Sequence, residues 1–418
     1  MLLGAILIAA PFVVDQYGVR RVEAARDFPA QEPLSAELRK RVERLASPEL
    51  GGRKPGTEGN AAAAFYIADA MRDAGLEPLP SLGGYLSPLV DPVHRVPTRL
   101  GHNVIGHLPA TEAPPEQGPT PWIVLGAHFD HIGPTPEGLL LGADDNASGV
   151  AVMLATAAML KAQPTRRYPV AMVFFNTEEP PYFATPNMGS FAFVQNPPAE
   201  LGRPPNVRLA IIADMLGGLV WRQAADAVFA CGAEKSAGLG ELVDSIKEDQ
   251  LQVKQLGIHM IENVPDQAPS AVSDYDAFRD RGSPFVFLSS GRTHHYHRKT
   301  DLPDTLHYDR MARTARWLAK LVLAADASDA KWKVDPQLVN LAKDVETLLW
   351  FLEPATKPAE SIPGTSPASF LRLQADKERL QRMADPSHAF NKSDELMIER
   401  AGFRLQCLLW SQSVCFTL

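Results

Sequence analysis

The feature that most constrains this chain is a set of three short apolar runs, each closing on acidic or histidine residues: WIVLGAHFD (122–130), YPVAMVFFNTEE (168–179) and LAIIADM (209–215). A continuous apolar run of this length reads as a strand buried on both faces. Between the first two lies SGVAVMLATAAMLKAQ (148–163), apolar on nearly every side, which predicts a buried helix. Strands alternating with helices imply an α/β fold in three αβα layers around a mostly parallel sheet. Ligands of such sheets bind at the carboxyl ends of the strands, and that is where all three runs place their polar residues.

The flanking sequence extends this plan. Helices are expected over about Ser35–Ala46 and from about Asn60 to Gly75, a suitable glycine stop. Residues 77–100 carry five prolines and read as a long loop before a strand at HNVIGHL (102–108). Further on come a helix near SDYDAFRDRG (273–282), a strand at PFVFLSS (284–290), the loop GRTHHYHRKTDLPD (291–304) and a long helix over about Leu306–Ala325. After Ser328 the texture changes to amphipathic helices at 331–352 and 369–383, split by the Pro/Ser-rich EPATKPAESIPGTSP (353–367), with a last helix after Asp394. The expected organisation is an apolar N-terminal segment (1–30), a catalytic domain (31–327) and a helical C-terminal appendage (328–418).

The net charge of −8, with no long basic run, argues against nucleic acid as a partner. Three cysteines, Cys231, Cys407 and Cys415, form no paired framework and indicate no structural disulfide. The apolar run Leu2–Val14 is shorter than the roughly 20 residues needed to cross a bilayer. It is read as the end of an export or anchor segment, giving an expectation of membrane association and of a cell-envelope or periplasmic location rather than a cytoplasmic one.

Candidate ligands occur in chain order as His128 and Asp130, Asp144-Asp145-Asn146, Glu178-Glu179, Asp214, and the cluster His294-His295-Tyr296-His297. His and carboxylates are the usual ligands of a catalytic zinc. Each has an ordinary explanation alone: a surface H-x-D pair, a solvated Glu-Glu doublet, acids capping the next helix. Asp214, behind four apolar residues, is harder to dismiss, because a buried carboxylate needs a partner. Along a strand, residues two apart share a face, so Asp130 is expected to accept a hydrogen bond from the His128 imidazole and fix its tautomer.

Taken together, GAHFDH, GADDNASG, FFNTEE, MGS, ADMLG, SDYDAF, SPFVFL and HYHRKTDLPDT, with GRKPGTEGN and NVIGHLP upstream, resemble the Zn-dependent aminopeptidases, a family that also includes glutaminyl cyclases. The resemblance spans about residues 35–325. It implies a phosphorylase/hydrolase-like αβα fold and two Zn²⁺ per chain. Asp145 would bridge the two ions, His128 and Asp214 would complete one site, Glu179 and His297 the other, and Glu178 would be the general base, with Asp130 behind His128. It also implies a cis peptide at Asp145–Asn146, and peptides or small proteins with a free N-terminus as substrates. Two departures matter: PPYFATPN (180–187) is longer than the usual connection, and position 214 is Asp where many relatives carry Glu. Three other uses of the scaffold are a glutaminyl cyclase-like acyltransferase, a carboxypeptidase with Arg292 as its only visible anion anchor, and a non-catalytic receptor-like domain.

Overall fold

The computed structural model describes residues 28–410, apart from 92, 113–117, 263–269 and 364. The readings of residues 1–14 and of the chain's last eight residues lie outside the described part. Among the described residues no helix is long and apolar enough to cross a membrane.

The three apolar runs become β3 (Trp122–His128), β6 (Val170–Phe175) and β7 (Val207–Ala213). All of β3 and β6 is buried, and so is β7 beyond its first residue. They lie side by side with β10 (Phe285–Ser289) in the parallel order β6-β3-β7-β10. At one edge β2 (Pro97–Leu108) pairs antiparallel with β6, and β1 (Leu86–Val90) antiparallel with β2. At the other, β8 (Ala227–Cys231) pairs antiparallel with β10 and carries β9 (Gln252–Leu256) in parallel. The sheet is therefore eight-stranded and mostly parallel, as the alternating pattern predicts. A small hairpin, β4 (Gly133–Thr135) with β5 (Gly138–Leu140), stands apart from it.

Residues 77–100 differ from the long loop predicted. Pro97 is the first residue of β2 and Pro88 lies on the edge strand β1, where a missing N–H costs no ladder bond, so β1 and the first half of β2 form despite them.

Helices cover both faces. On one lie α1 (Gln31–Leu45), α2 (Glu58–Asp73), α3 (Gly149–Lys161), α5 (Leu239–Ser245) and α8 (Tyr308–Ala327), which share one core with that side of the sheet. The inward stripe of α1, Leu34, Leu38, Val42 and Leu45, has helical spacing. α2 starts where the Thr57 side chain accepts the Asn60 N–H at 3.2 Å. On the other face lie α4 (Gly189–Gln195), the one-turn α6 (His259–Glu262), α7 (Tyr275–Arg279), and the C-terminal helices α9 (Leu341–Ala355), α10 (Pro367–Met383) and α11 (Lys392–Trp410). Phe351 of α9 stacks on Trp221 and on Phe229 of β8, so the C-terminal helices build part of this core.

Cysteine usage corrects one expectation. Cys231 is a buried free thiol, but Cys407 on α11 is disulfide-bonded. Spacing alone carries no signal for that bond.

Candidate metal centre

Parallel order brings the ends of β3, β6, β7 and β10 to one edge of the sheet. His128 is the last residue of β3; Glu178 and Glu179 follow β6; Asp214 follows β7. Asp145 lies in the tight turn before α3, and His297 in the loop after β10. The Asp145–Asn146 peptide is cis. Thr177, Met215 and His297 adopt left-handed backbone conformations, with φ of +59°, +56° and +54°. Such residues concentrate where surrounding structure holds a functional site in place. Gly142 has φ +61°, and a Cβ there would meet the Asp145 carbonyl oxygen at 2.1 Å and the His131 ring at 2.6 Å.

The side chains converge in two groups that share Asp145. His128 Nε2 lies 3.4 Å from Asp145 Oδ1 and 3.4 Å from Asp214 Oδ1. His297 Nε2 lies 3.1 Å from Asp145 Oδ2 and 3.2 Å from Glu179 Oε2. The two oxygens of Asp145 are thus divided between the two histidines. Zinc bonds of about 2.0–2.2 Å in tetrahedral geometry put neighbouring ligand atoms roughly 3.4 Å apart, and all four spacings are of that order. Asp145 Oδ2 and His297 Nε2 are both buried and make no hydrogen bond of good geometry, despite their 3.1 Å separation. That is the relation of two ligands aimed at one ion rather than at each other, so the donor set fits a pair of divalent cations. Glu178 Oε2 stands 3.8 Å from His128 Nε2, beside both groups.

The electrostatics have the same meaning. Burial lifts the Glu178 carboxyl well above its ordinary range; the charge on His128 opposes this, while Asp214 and Glu179 add to it. Burial also works against charge on His128, but Glu178 and Asp214 outweigh it and raise that imidazole well above its usual value. His297 is likewise carried to about 10 by Asp145 and Glu179 against the pull of burial. Burial would raise Glu179, yet its contacts with His131 and His297 hold it down to about 2. So many buried carboxylates need positive charge among them.

A second layer fixes these ligands. The Asp301 carboxylate accepts the N–H groups of Asp144 (2.8 Å) and Asp145 (3.1 Å). Asp144 accepts the N–H groups of Gly217 (2.8 Å) and Gly218 (2.9 Å), tying the Asp145 turn to the segment after Asp214. Asn146 donates to the Ala213 carbonyl at 2.9 Å and accepts the Gly149 N–H at 3.0 Å, so it caps α3 and grips β7 at once. The Ser273 hydroxyl donates to Asp214 Oδ2 at 2.9 Å.

Asp130 acts differently from expectation. His128 Nδ1 is 3.7 Å from the Asp130 carboxylate and 3.2 Å from its backbone carbonyl. The carboxylate instead accepts the N–H groups of Glu178 (3.1 Å) and Glu179 (3.2 Å). The reason is local: β3 ends at His128, so the rule that residues two apart share a face no longer holds at position 130.

Three residues escape sequence reasoning. His131 is fully buried, with Nδ1 2.7 Å from Glu179 Oε1, and it forms a metal-capable group with Asp145 and Glu179. Its only signal is its place three residues after His128. Arg53 is fully buried and donates to the carbonyls of Leu45, Phe129, Leu141 and Gly142 at 2.6–2.8 Å. Asp274 is fully buried near Asp214 and His128, its carboxyl pushed up to about 7 mainly by burial. Of the histidine cluster, His294 is exposed and His295 partly so, its Nδ1 2.9 Å from the Thr300 hydroxyl. Only His297 reaches the centre, with Tyr296 stacked on its ring and Arg292 4.6 Å above the Tyr296 ring.

Comparison with known proteins bears on the family and the fold. The family model of peptidase family M28 matches residues 103–322, just over half of the chain. The protein YfbL of Escherichia coli (strain K12) is 28% identical over 219 residues, spanning 46% of this chain and 64% of YfbL, a little under two thirds of that relative. Among solved structures, LapB from Legionella pneumophila superposes with a TM-score of 0.54 at 18% identity, covering 71% of this chain and 73% of LapB. A Zn-dependent exopeptidase from Parabacteroides distasonis superposes at 0.51 and 16% identity, covering 72% of this chain and 99% of its own. A glutaminyl cyclase from Tannerella forsythia does so at 0.51 and 16%, covering 69% and 98%. At these identities the superpositions describe the fold.

Proposed function

This chain belongs to peptidase family M28, a family of metallopeptidases, and we propose that it is an aminopeptidase that works with two Zn²⁺ ions and uses Glu178 as general base. One observation carries the reading: the carboxylate of Asp145 presents one oxygen to His128 and the other to His297. In this assignment His128 and Asp214 hold one ion with Asp145, and Glu179 and His297 hold the other. The ions would supply an acidified water and an electrophile for the scissile carbonyl.

The rest of the work falls to the chain. Glu178 is buried beside both ligand groups, in surroundings that favour its protonated form. It is therefore suited to take a proton from the attacking water and return it to the leaving amine. Buried acids outside the two ligand groups, Asp130, Asp274 and Asp301, keep the surroundings of the centre negative, which supports a cationic α-amine as the group received there and hence trimming from the N-terminus. Arg292, the anchor a carboxypeptidase would need, stacks on Tyr296. The test combines metal analysis of the pure protein with a panel of aminoacyl-nitroanilides and a peptide beginning with glutamine. Two zincs per chain and nitroaniline release are expected. Ammonia loss from the N-terminal glutamine without nitroaniline release would replace this reading with cyclisation, and activity only on free C-termini would replace it with carboxypeptidase action.

A further inference from the structure

A second group of ligating side chains lies away from this centre, where the C-terminal helices meet the end of β9. The one-turn α6 presents His259, which is 7% exposed. One ligand atom from each of His259, Glu395 and Glu399 lies within 4.8 Å of the others. The two glutamates are one turn apart on α11, so they occupy the same face.

The histidine is already oriented as a metal ligand. Its Nε2 is 3.1 Å from Asp344 Oδ2, and the other oxygen of this fully buried carboxylate is held by the Gly257 N–H at 2.6 Å. A carboxylate behind one ring nitrogen fixes the tautomer and leaves the other nitrogen for a metal. That other nitrogen, Nδ1, faces Glu399 Oε1 at 3.1 Å. A lone pair facing a carboxylate repels it, so the contact requires a positive charge between the two, either a proton or a cation.

The grouping of the three ligand atoms suits the cation. Three carboxylates, Asp344, Glu395 and Glu399, surround one imidazole. Lys392, itself largely exposed, reaches Glu395 at 2.8 Å from the solvent side. Glu234 adds a fourth acid: burial first, and then the charge of Asp344, push its carboxyl up to about 7 while it accepts the Ile258 N–H. A dication held between His259, Glu395 and Glu399 would offset the acids gathered here.

We propose that His259, Glu395 and Glu399 form a further metal site, supported from behind by Asp344, that takes a transition-metal dication such as Zn²⁺ and clamps α11 to the catalytic body. One nitrogen and two carboxylate oxygens with an open position suit Zn²⁺. The 3.1 Å spacing of His259 Nδ1 and Glu399 is already close to the roughly 3.4 Å between neighbouring ligands of tetrahedral zinc. Rotation of the partly exposed Glu395 side chain completes the set.

The test is equilibrium dialysis against ZnCl₂ followed by metal analysis of the wild type, the double variant Glu395→Gln/Glu399→Gln, and Asp344→Asn. The double variant, altered only at partly exposed positions, is expected to bind one zinc fewer per chain and to keep the wild-type hydrolytic rate. Asp344→Asn is expected to weaken that one equivalent by about 10- to 100-fold. Withdrawing zinc is expected to speed hydrogen exchange across 392–409 in the wild type and to leave it unchanged in the double variant. Equal zinc content in wild type and double variant overturns the proposal, and so does exchange in α11 that ignores zinc in the wild type.

Discussion

Asp301 holds Asp145 in place from 156 residues further along the chain, its carboxylate accepting the N–H of Asp145 at 3.1 Å and that of Asp144 at 2.8 Å. Asp145 is therefore held by the loop that also carries His297. Asp301→Ala leaves two buried N–H groups without partners, each costing about 1–3 kcal/mol. Supporting residues of this kind typically cost 10- to 100-fold in metal affinity when removed. Zinc titration of the variant is expected to show that loss at both positions, since both share Asp145. Wild-type affinity would show that the turn before α3 holds its own shape.

Glu178 stands 3.8 Å from His128 Nε2, and its predicted role is to carry a proton. Glu178→Gln keeps the shape and removes the basicity. Zinc content and thermal midpoint are expected to stay near wild type, while turnover falls by about 10²–10⁴-fold. A variant with near-normal kcat would assign the base elsewhere, with Asp274, a buried acid whose charge acts on Glu178, the next to examine.

His131 separates ligands from their supports. Its contact with Glu179 predicts that His131→Ala lowers zinc affinity at the position shared by Glu179 and His297, by about 10- to 100-fold. The position shared by His128 and Asp214 should keep its ion. His297→Ala is expected to empty the first of these positions outright. If His131→Ala empties it and His297→Ala does not, His131 is the ligand and His297 the support.

Arg53 joins three segments of the chain through the carbonyls of Leu45, Phe129, Leu141 and Gly142. Burial lowers this guanidinium to about 10, so it remains charged at neutral pH. Lysine keeps the charge but lacks the planar fork that reaches several carbonyls at once. Arg53→Lys is expected to cost about 3 kcal/mol, read as a lower urea midpoint. A change below about 0.5 kcal/mol would mean that water replaces the lost donors.

The parts of this molecule that can be read in its sequence are those with a period or a terminus. β3, β6 and β7 are legible because burial on both faces leaves only apolar residues, and the acids that break each run mark the edge where ligands collect. β9 is not, because QVKQL is half polar and lies at the sheet's margin, where the pattern of a buried strand fades. Arg53 and His131 are illegible for another reason. A buried Arg that spans loops and a His behind a Glu become meaningful only when residues some 50 to 90 positions apart are brought together, as Arg53 is with Leu141 and His131 with Glu179. Asp130 shows the limit from the other side: an i, i+2 rule gives the right neighbourhood and the wrong partner once the strand has ended.

The seam between α6, α9 and α11 yields a prediction in pH. In metal-free protein His259 is carried from 6.5 to about 9: burial opposes its charge, but Asp344 and Glu399 outweigh it. Between those values the folded state holds a proton that the unfolded state has released. The contribution is thus complete below pH 6.5 and lost as pH rises through about 9. A difference of that size is on the order of 3 kcal/mol. Glu395, Glu234 and Lys392 face the same seam, so the measurement should isolate the imidazole by difference. Urea midpoints of wild type and His259→Gln, both in excess chelator, are expected to lie well apart at pH 6 and to converge by pH 9.5. A gap that stays constant over this range would show that His259 supports the seam by packing alone, with its charge contributing nothing.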